Sequence, residues 1–78
     1  MVQAYVLIQA EAGKAASVGA ELAKIAGALS ADVVTGPYDV IVQLQADDLD
    51  RLGNCITDGI QRVEGVQRTT TCLSVKLG

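Results

Sequence analysis

The sequence predicts a small α+β domain, and three features lead to this prediction. Segments in which apolar and polar residues alternate are typical of strands, and segments with apolar residues three or four positions apart are typical of helices. Both kinds occur in the 78 residues, in the order strand, helix, strand, strand, helix, strand. The only proline, Pro37, follows Gly36 between the two middle strands, where a Gly-Pro pair favours a turn. A chain of this length is expected to form one domain, residues 1–78.

The first strand and the first helix are predicted from a change in spacing. Residues 2–9 alternate and include β-branched side chains, so they are expected to form a strand. From residue 14 to residue 26 the spacing becomes helical, with an apolar stripe made of Ala15, Val18, Leu22 and Ile25. Gly27 is expected to end this helix, because glycine adopts the left-handed conformation that closes many helices.

The second half of the chain repeats the pattern. Residues 29–35 and 39–46 are predicted to be two adjacent antiparallel strands joined at Gly36-Pro37. A carboxylate at Asp47 or Asp48 is expected to cap a second helix, because it accepts hydrogen bonds from free backbone amides. The apolar stripe of that helix comprises Leu49, Leu52, Ile56, Ile60 and Val63. Gly65 is expected to end it, and residues 67–77 to form the last strand.

The order β-α-β-β-α-β predicts a ferredoxin-like fold, with a four-stranded antiparallel sheet and two helices on one face. Right-handed crossovers place both helices on the same side and leave the other side of the sheet, the open face, uncovered. The residues expected on the open face are Gln3, Tyr5, Leu7, Gln9, Ile41, Gln43 and Gln45. This mixture is too apolar for a fully solvated surface. We therefore expect a dimer in which two open faces meet, the arrangement of a dimeric α/β barrel.

The composition argues against several classes of protein. The chain has no histidine and no Cys-x-x-Cys pair, so no metal or other cofactor is expected. The net charge of −3 and the scattered basic residues argue against direct contact with nucleic acid. No apolar run reaches the length of a membrane span, and no basic region precedes the first apolar run as in a signal peptide. The expected location is the cytoplasm, with Cys55 and Cys72 reduced and acting as small buried hydrophobic residues.

Catalysis is not expected either. Nucleophilic catalysis usually needs a base that titrates near neutral pH, and histidine is absent. The acidic group Asp47, Asp48 and Asp50 resembles a carboxylate pair or a cation site, but the start of a helix explains it better. Gly13-Lys14 lacks the remaining residues of a phosphate-binding loop. The sequence therefore indicates a protein that is not an enzyme.

Two short segments carry the candidate ligand-binding residues. The first is the turn that contains Gly36, Tyr38 and Asp39, and the second is the run Thr69-Thr70-Thr71. Each also has a purely structural interpretation, because Gly-Pro favours turns and threonine favours strands. Together they suit a zwitterionic ligand, since hydroxyls and backbone amides bind a carboxylate and Asp39 can bind an ammonium group.

Four segments resemble those of a known family. They are Ala4-Tyr5-Val6-Leu7-Ile8, Ile25-Ala26-Gly27, Thr35-Gly36-Pro37-Tyr38-Asp39-Val40 and Gly65-Val66-Gln67-Arg68-Thr69-Thr70-Thr71. In this pattern the chain resembles the effector-binding domain of the Lrp/AsnC transcriptional regulators, also called the RAM domain. The resemblance covers nearly the whole chain.

The resemblance implies a function. Family members form dimers through facing sheets, the dimers assemble into rings that are often octamers, and free amino acids bind between dimers. Carried over by position, Gly36, Tyr38 and Asp39 would contact the backbone groups of the amino acid, and Thr69, Thr70 and Thr71 would supply hydroxyls. Which threonine faces the pocket stays open.

One departure from the family concerns DNA binding. Family regulators carry a helix-turn-helix before this domain, whereas this chain starts at the first strand. The resemblance therefore implies a stand-alone amino-acid sensor that modulates transcriptional regulation of amino-acid metabolism, with full-length Lrp/AsnC regulators as its expected partners. The alternatives are a ligand-independent oligomeric scaffold, a mixed-assembly partner of a full-length regulator, and a regulatory module like the ACT domain.

Overall fold

The computed structural model describes residues 1–75, and the last two residues of the predicted final strand lie outside them. The sheet consists of β1 (Val2–Ala10), β2 (Ala28–Val33), β3 (Val40–Ala46) and β4 (Val66–Leu73). The helical elements are α1 (Ala15–Leu22) and α2 (Leu49–Asn54). A π-helical turn (Cys55–Gly59) and a 3-10 turn (Ile60–Arg62) continue α2, and we call residues 49–62 the second helical segment.

The strand order β2-β3-β1-β4 confirms the ferredoxin-like fold. All three strand pairs are antiparallel, and β2 and β3 are neighbours as the Gly36-Pro37 turn predicted. Ile8, near the end of the inner strand β1, lies between Val40 of β3 and Thr69 of β4. The segment that contains the predicted turn and the threonine run are therefore both anchored near the end of β1.

The core lies between the sheet and the helices. Alternate residues of β1 and β3 face the helices, because a strand presents successive side chains to opposite sides. The buried residues are Ala4, Val6, Ile8, Val18, Leu22, Val40, Val42, Leu44, Leu52 and Ile60. The residues that alternate with the core residues along β1 and β3 are those expected on the open face. They are half-buried or exposed in the single chain. The predicted division of each strand into a core side and an open side is thus confirmed.

Helix α1 is shorter than predicted. It ends at Leu22, where the sequence predicted continuation to residue 26. After Leu22 the backbone tightens, since the N–H groups of Lys24 and Ile25 bond carbonyls three residues earlier. Gly27 does adopt the left-handed conformation, with φ of +92°, but it leads into β2, and its carbonyl accepts the N–H of Gln45 at 2.9 Å. Docking of this connection on β3 therefore ends the helix earlier than its apolar stripe predicts.

The apolar residues of the second helical segment form one continuous stripe in the sequence, but the segment is not one regular helix. Asp48 is the N-cap, and its carboxylate accepts the N–H of Arg51 at 2.8 Å, which confirms the predicted cap. The α-helix then lasts six residues and changes to a π turn at Cys55. Gly53 and Gly59 weaken helical propensity on both sides of this change. A Cβ on Gly59 would lie 3.5 Å from Ile25, so the segment packs closely against the connection that follows α1.

None of the helices within residues 1–75 has both the length and the apolar character that a membrane crossing requires.

Candidate functional site

The turn between β2 and β3 is bonded to the end of β1. The N–H of Asp39 donates to the carbonyl of Ile8 at 2.8 Å, and the carbonyl of Asp39 accepts the N–H of Val34 at the same distance. The side-chain amide of Gln9 donates to the carbonyl of Pro37 at 3.2 Å. Gly36 has a φ of +143°, a conformation that side-chain-bearing residues rarely adopt. These bonds hold the turn at one end of the sheet.

The carboxylate of Asp39 has a structural partner. Its Oδ2 accepts the N–H of Ala10 at 2.8 Å, and the side chain is half-buried. The pairing of β1 with β4 changes register between Gln9 and Ala10, and such a bulge removes a backbone group from the strand ladder. The carboxylate of Asp39 accepts the hydrogen bond of this backbone N–H in place of a strand partner. A carboxylate has about four lone-pair sites, so this bond leaves acceptor capacity for a ligand.

The three threonines do not share one side of the sheet. Thr69 pairs with Ile8 and Thr71 with Val6, and both of these β1 residues face the helices. Thr70 pairs with Leu7 and therefore lies on the open face. The hydroxyl of Thr69 also accepts the side-chain amide of Gln61 at 3.4 Å. The alternation of β4 thus separates Thr70 from the other two, and its pairing with β1 places Thr70 on the open face.

The turn and the threonine run lie at the same end of the sheet but on different strands. Asp39 precedes Val40, and Val40 and Thr69 flank Ile8 from opposite sides. Two strand spacings are about 10 Å, so β1 separates the two predicted halves of the site. A ligand that contacts both must extend over the end of β1. Within one chain the six predicted residues therefore form an open surface.

Four surface cavities within the described residues, of about 570, 470, 450 and 360 Å³, lie away from the turn. One of about 570 Å³ lies in the helix layer and contains none of the six predicted residues. It is lined by Lys14, Ser17, Glu21, Gly59, Arg62, Val63 and Glu64. Another, of about 360 Å³, involves Thr69 together with Gln61 and Arg68 at the exposed edge of β4.

Strand pairing adds residues to the open face that the sequence argument did not assign. From β2 it adds Ser30 and Asp32, which pair with Gln43 and Ile41. From β4 it adds Arg68 and Cys72, which pair with Gln9 and Tyr5. Alternation along β4 puts Arg68, Thr70 and Cys72 on one side, but only the register shows that this side faces away from the helices.

The two cysteines differ from each other. Both are free thiols. Cys55 is half-buried, its Sγ lies 3.4 Å from the carbonyl of Ala26, and burial raises the pKa of the thiol. Cys72 is exposed on the open face of the single chain, so the prediction of a buried residue is wrong for this cysteine within one chain. A strand at the edge of a sheet buries little without a partner.

These features define a class of protein: a ferredoxin-like domain with both helices on one side of its sheet and an uncovered face on the other. A family model described as the Lrp/AsnC ligand binding domain matches residues 3–77. The chain belongs to this family.

Individual relatives agree with this assignment. HTH-type transcriptional regulator FL11 of Pyrococcus furiosus is 31% identical over 74 residues, which cover 95% of this chain and 48% of that protein. The chain spans about half the length of the curated relatives it matches. The crystal structure of TTHA0845 from Thermus thermophilus has a TM-score of 0.92 and 32% identity, covering 100% of this chain and 98% of that one.

A further solved structure contains an amino acid. It is the complex of transcriptional regulator NMB0573 from Neisseria meningitidis with L-Met. The TM-score is 0.83 at 23% identity, and the match covers 96% of this chain and 50% of that one. At this identity the likeness concerns the fold.

Proposed function

We propose that this domain binds a free amino acid at the Gly36–Asp39 turn and acts as an oligomeric effector module in transcriptional regulation of amino-acid metabolism. The observation that carries the proposal is the half-buried carboxylate of Asp39, held in place by the N–H of Ala10. The fixed carboxylate can bind the ammonium group of an amino acid. The backbone amides of the exposed glycine turn beside it can bind the carboxylate group of the same ligand. The L-Met complex of NMB0573 supports the same ligand class.

The binding pocket is completed by other copies of the chain. In one chain the turn and the threonine run form an open surface, and small ligands usually bind in concave sites that enclose most of their surface. We expect dimers through the open face and assembly of dimers into a ring. Thr70 is the threonine expected to contact the ligand, because it lies on the face where copies meet, whereas the hydroxyl of Thr69 has a partner in Gln61.

The proposed role does not include contact with DNA by this domain. The net charge is −3, and four of the basic residues described, Lys14, Lys24, Arg51 and Arg62, lie in ion pairs with acidic neighbours. Nucleic-acid surfaces need clustered positive charge to replace the counterions of phosphates. We propose that the domain acts in the cytoplasm through full-length Lrp/AsnC regulators, whose DNA-binding segments would transmit the effect.

The test is calorimetric titration of the assembled protein with each common amino acid, followed by native mass spectrometry with a mixed pool. We expect one amino acid, or a few of similar side chain, to bind and to change the size distribution of the oligomer. Absence of heat with every amino acid would contradict the proposal and would favour the ligand-independent scaffold.

Two valine substitutions test which threonine contacts the ligand. Thr70→Val removes the hydroxyl on the open face while keeping the shape of the side chain, and we expect the Kd to rise about tenfold, the loss of one hydrogen bond to a charged group. Thr71→Val is the matched control, because this exposed neighbour faces the helix side, and its Kd should stay unchanged. Equal losses in both variants would show that the assignment of Thr70 is wrong.

A further inference from the structure

Two opposite charges lie on opposite edges of the open face. Asp32 is on the edge strand β2, where it pairs with Ile41, and Arg68 is on the edge strand β4, where it pairs with Gln9. Both side chains are exposed in the single chain. Among the described ion pairs, neither residue has a partner within the chain. The remaining described strand residues of this face are uncharged.

The register gives the relative positions of the two charges. Asp32, Ile41, Leu7 and Thr70 form one row across the four strands. Arg68 lies in the neighbouring row, because it pairs with Gln9, two positions further along β1. The two charges are therefore separated by three strand spacings, about 14 Å, in one direction and by about 7 Å in the other. At this separation they do not form a direct pair within one sheet.

A two-fold axis between two stacked sheets can run in two principal directions. If it runs parallel to the strands, β2 of one copy lies over β4 of its partner, and each row lies over the same row. Asp32 then lies over the partner's Thr70 and one row from the partner's Arg68, across sheets that stack about 10 Å apart. An arginine side chain spans that gap. By symmetry the pair forms twice, because a two-fold interface repeats each contact.

If the axis instead runs across the strands, β2 lies over β2 and β4 over β4. With the sheets centred on each other, Asp32 then lies one row from the partner's Asp32, whereas Arg68 lies three rows from the partner's Arg68, so neither charge meets an opposite one. Like charges brought together at an interface oppose association, whereas complementary charges select orientation and register. The charge pattern of the open face therefore distinguishes the two arrangements.

We propose that the open face binds a second copy of this chain with the strands aligned, β2 over the partner's β4, and that two Asp32–Arg68 pairs between the copies select this orientation. The proposal rests on dimerisation through the open face, which is part of the proposed function. It goes beyond it by naming the orientation of the copies and the residues that determine it.

The test uses a charge-reversed chain, D32K/R68E, mixed with the wild type. Its net charge equals that of the wild type, so overall repulsion is unchanged. One chain is labelled with ¹⁵N, and equimolar amounts are mixed in urea, refolded at low salt and weighed by native mass spectrometry. The control is the reversal E21K/K24E, which exchanges an exposed ion pair of the helix layer with a separation of 3.5 Å.

The expected result is self-sorting. In the aligned arrangement each chain pairs well with itself, but a mixed dimer places the wild-type Asp32 near the introduced glutamate and the wild-type Arg68 near the introduced lysine. Heterodimers should therefore fall below about a quarter of all dimers, against about half for random pairing. At 1 M salt the Debye length falls to about 3 Å, and the fraction should return to about half. The control mixture should give about half at both salt concentrations.

Each other outcome is decisive. Heterodimers at about half in low salt would show that the charges do not meet, and heterodimers above half would show the arrangement with β2 over β2. Failure of D32K/R68E to dimerise by itself would also overturn the proposal, because the reversed pair should replace the original one. A wild type that stays monomeric at all concentrations would instead remove dimerisation itself and so contradict the proposed function.

Discussion

Asp39 and Ala10 are joined by a 2.8 Å hydrogen bond from the backbone N–H of Ala10 to Oδ2 of Asp39. The bond links the turn before β3 to the irregular end of β1, where the pairing with β4 changes register. One side chain thus completes the backbone bonding of the sheet and presents a carboxylate at the proposed ligand site. Substitutions at this position are expected to separate the two roles.

Asp39→Asn is expected to retain the fold and lose ligand. The amide oxygen of asparagine still accepts the N–H of Ala10, so the free energy of unfolding should fall by less than about 1 kcal/mol. The negative charge opposite an ammonium group is lost, and amino-acid affinity should fall about tenfold or more. Urea denaturation measures the first effect and calorimetry the second. Unchanged affinity would show that Asp39 serves only the backbone.

Asp39→Ala provides the contrasting case. It leaves the N–H of Ala10 without its acceptor at a half-buried position, which should cost about 1–3 kcal/mol of unfolding free energy. Urea denaturation of Asp39→Ala beside Asp39→Asn measures the difference. Equal stability of the two variants would indicate that water replaces the carboxylate at no cost.

Gly19→Ala is expected to destabilise the domain through a contact between α1 and β2. A Cβ at Gly19 would lie 2.8 Å from Cγ2 of Val33, closer than atoms pack without movement. Overpacking of this kind costs about 1–3 kcal/mol. Gly53→Ala in α2 is the matched control, because a Cβ there meets nothing within 4 Å, and the higher helix propensity of alanine should stabilise by about 0.5–1 kcal/mol.

Thermal or urea denaturation of both glycine variants measures these changes. Adding Val33→Ala to Gly19→Ala should recover part of the loss, because it removes the atom that the new methyl group would meet. A lack of recovery would place the strain of Gly19→Ala elsewhere in the helix.

Asp48→Ala is expected to weaken the start of the second helical segment. The carboxylate of Asp48 caps the N–H of Arg51, and loss of such a cap costs about 0.5–2 kcal/mol. Asp47→Ala is the control, since Asp47 makes an exposed ion pair with Arg51 at 3.1 Å and such pairs contribute about 0–1 kcal/mol. Denaturation curves should therefore separate the variants, and a larger loss for Asp47→Ala would contradict the assignment of the cap.

The two thiols are expected to react differently with iodoacetamide. Burial raises the pKa of Cys55, so a smaller fraction of this residue is thiolate at a given pH. Cys55 should therefore be alkylated slowly until the pH is well above the usual pKa of a cysteine thiol. Because the unfolded chain releases this proton at lower pH, stability should decrease as the pH rises through the alkaline range. Mass spectrometry of the Cys72→Ser variant, which keeps Cys55, measures the rate of alkylation as a function of pH. Alkylation of Cys55 at the rate of the unfolded chain would contradict this.

Cys72 reports on the open face. It is exposed in the single chain, but a second copy over the open face should protect it. Its alkylation in Cys55→Ser should therefore be slow at high protein concentration and accelerate on dilution, as dimers dissociate. A rate that is high and independent of concentration would indicate that the open face stays uncovered.

The sequence alone determined the order of the elements, the fold and the side of β1 and β3 that enters the core. These follow from local spacing and from the rule that crossovers are right-handed, so no distant contact is needed to infer them. The cap at Asp48 and the turn at Gly36-Pro37 were also predictable, because their chemistry lies within a few neighbouring residues. The family resemblance followed from the same short segments.

Only the tertiary structure decided how these elements end and how their side chains meet. Helix α1 stops at Leu22 because the chain beyond it docks on β3, and the second helical segment contains a π turn, Cys55–Gly59, whose last residue packs against Ile25. Register alone shows that Thr70 lies on the open face and places Asp32 and Arg68 on opposite edges of that face. Local spacing tells which residues share a face of a strand, but pairing between distant segments decides which residues are neighbours and which face is left uncovered.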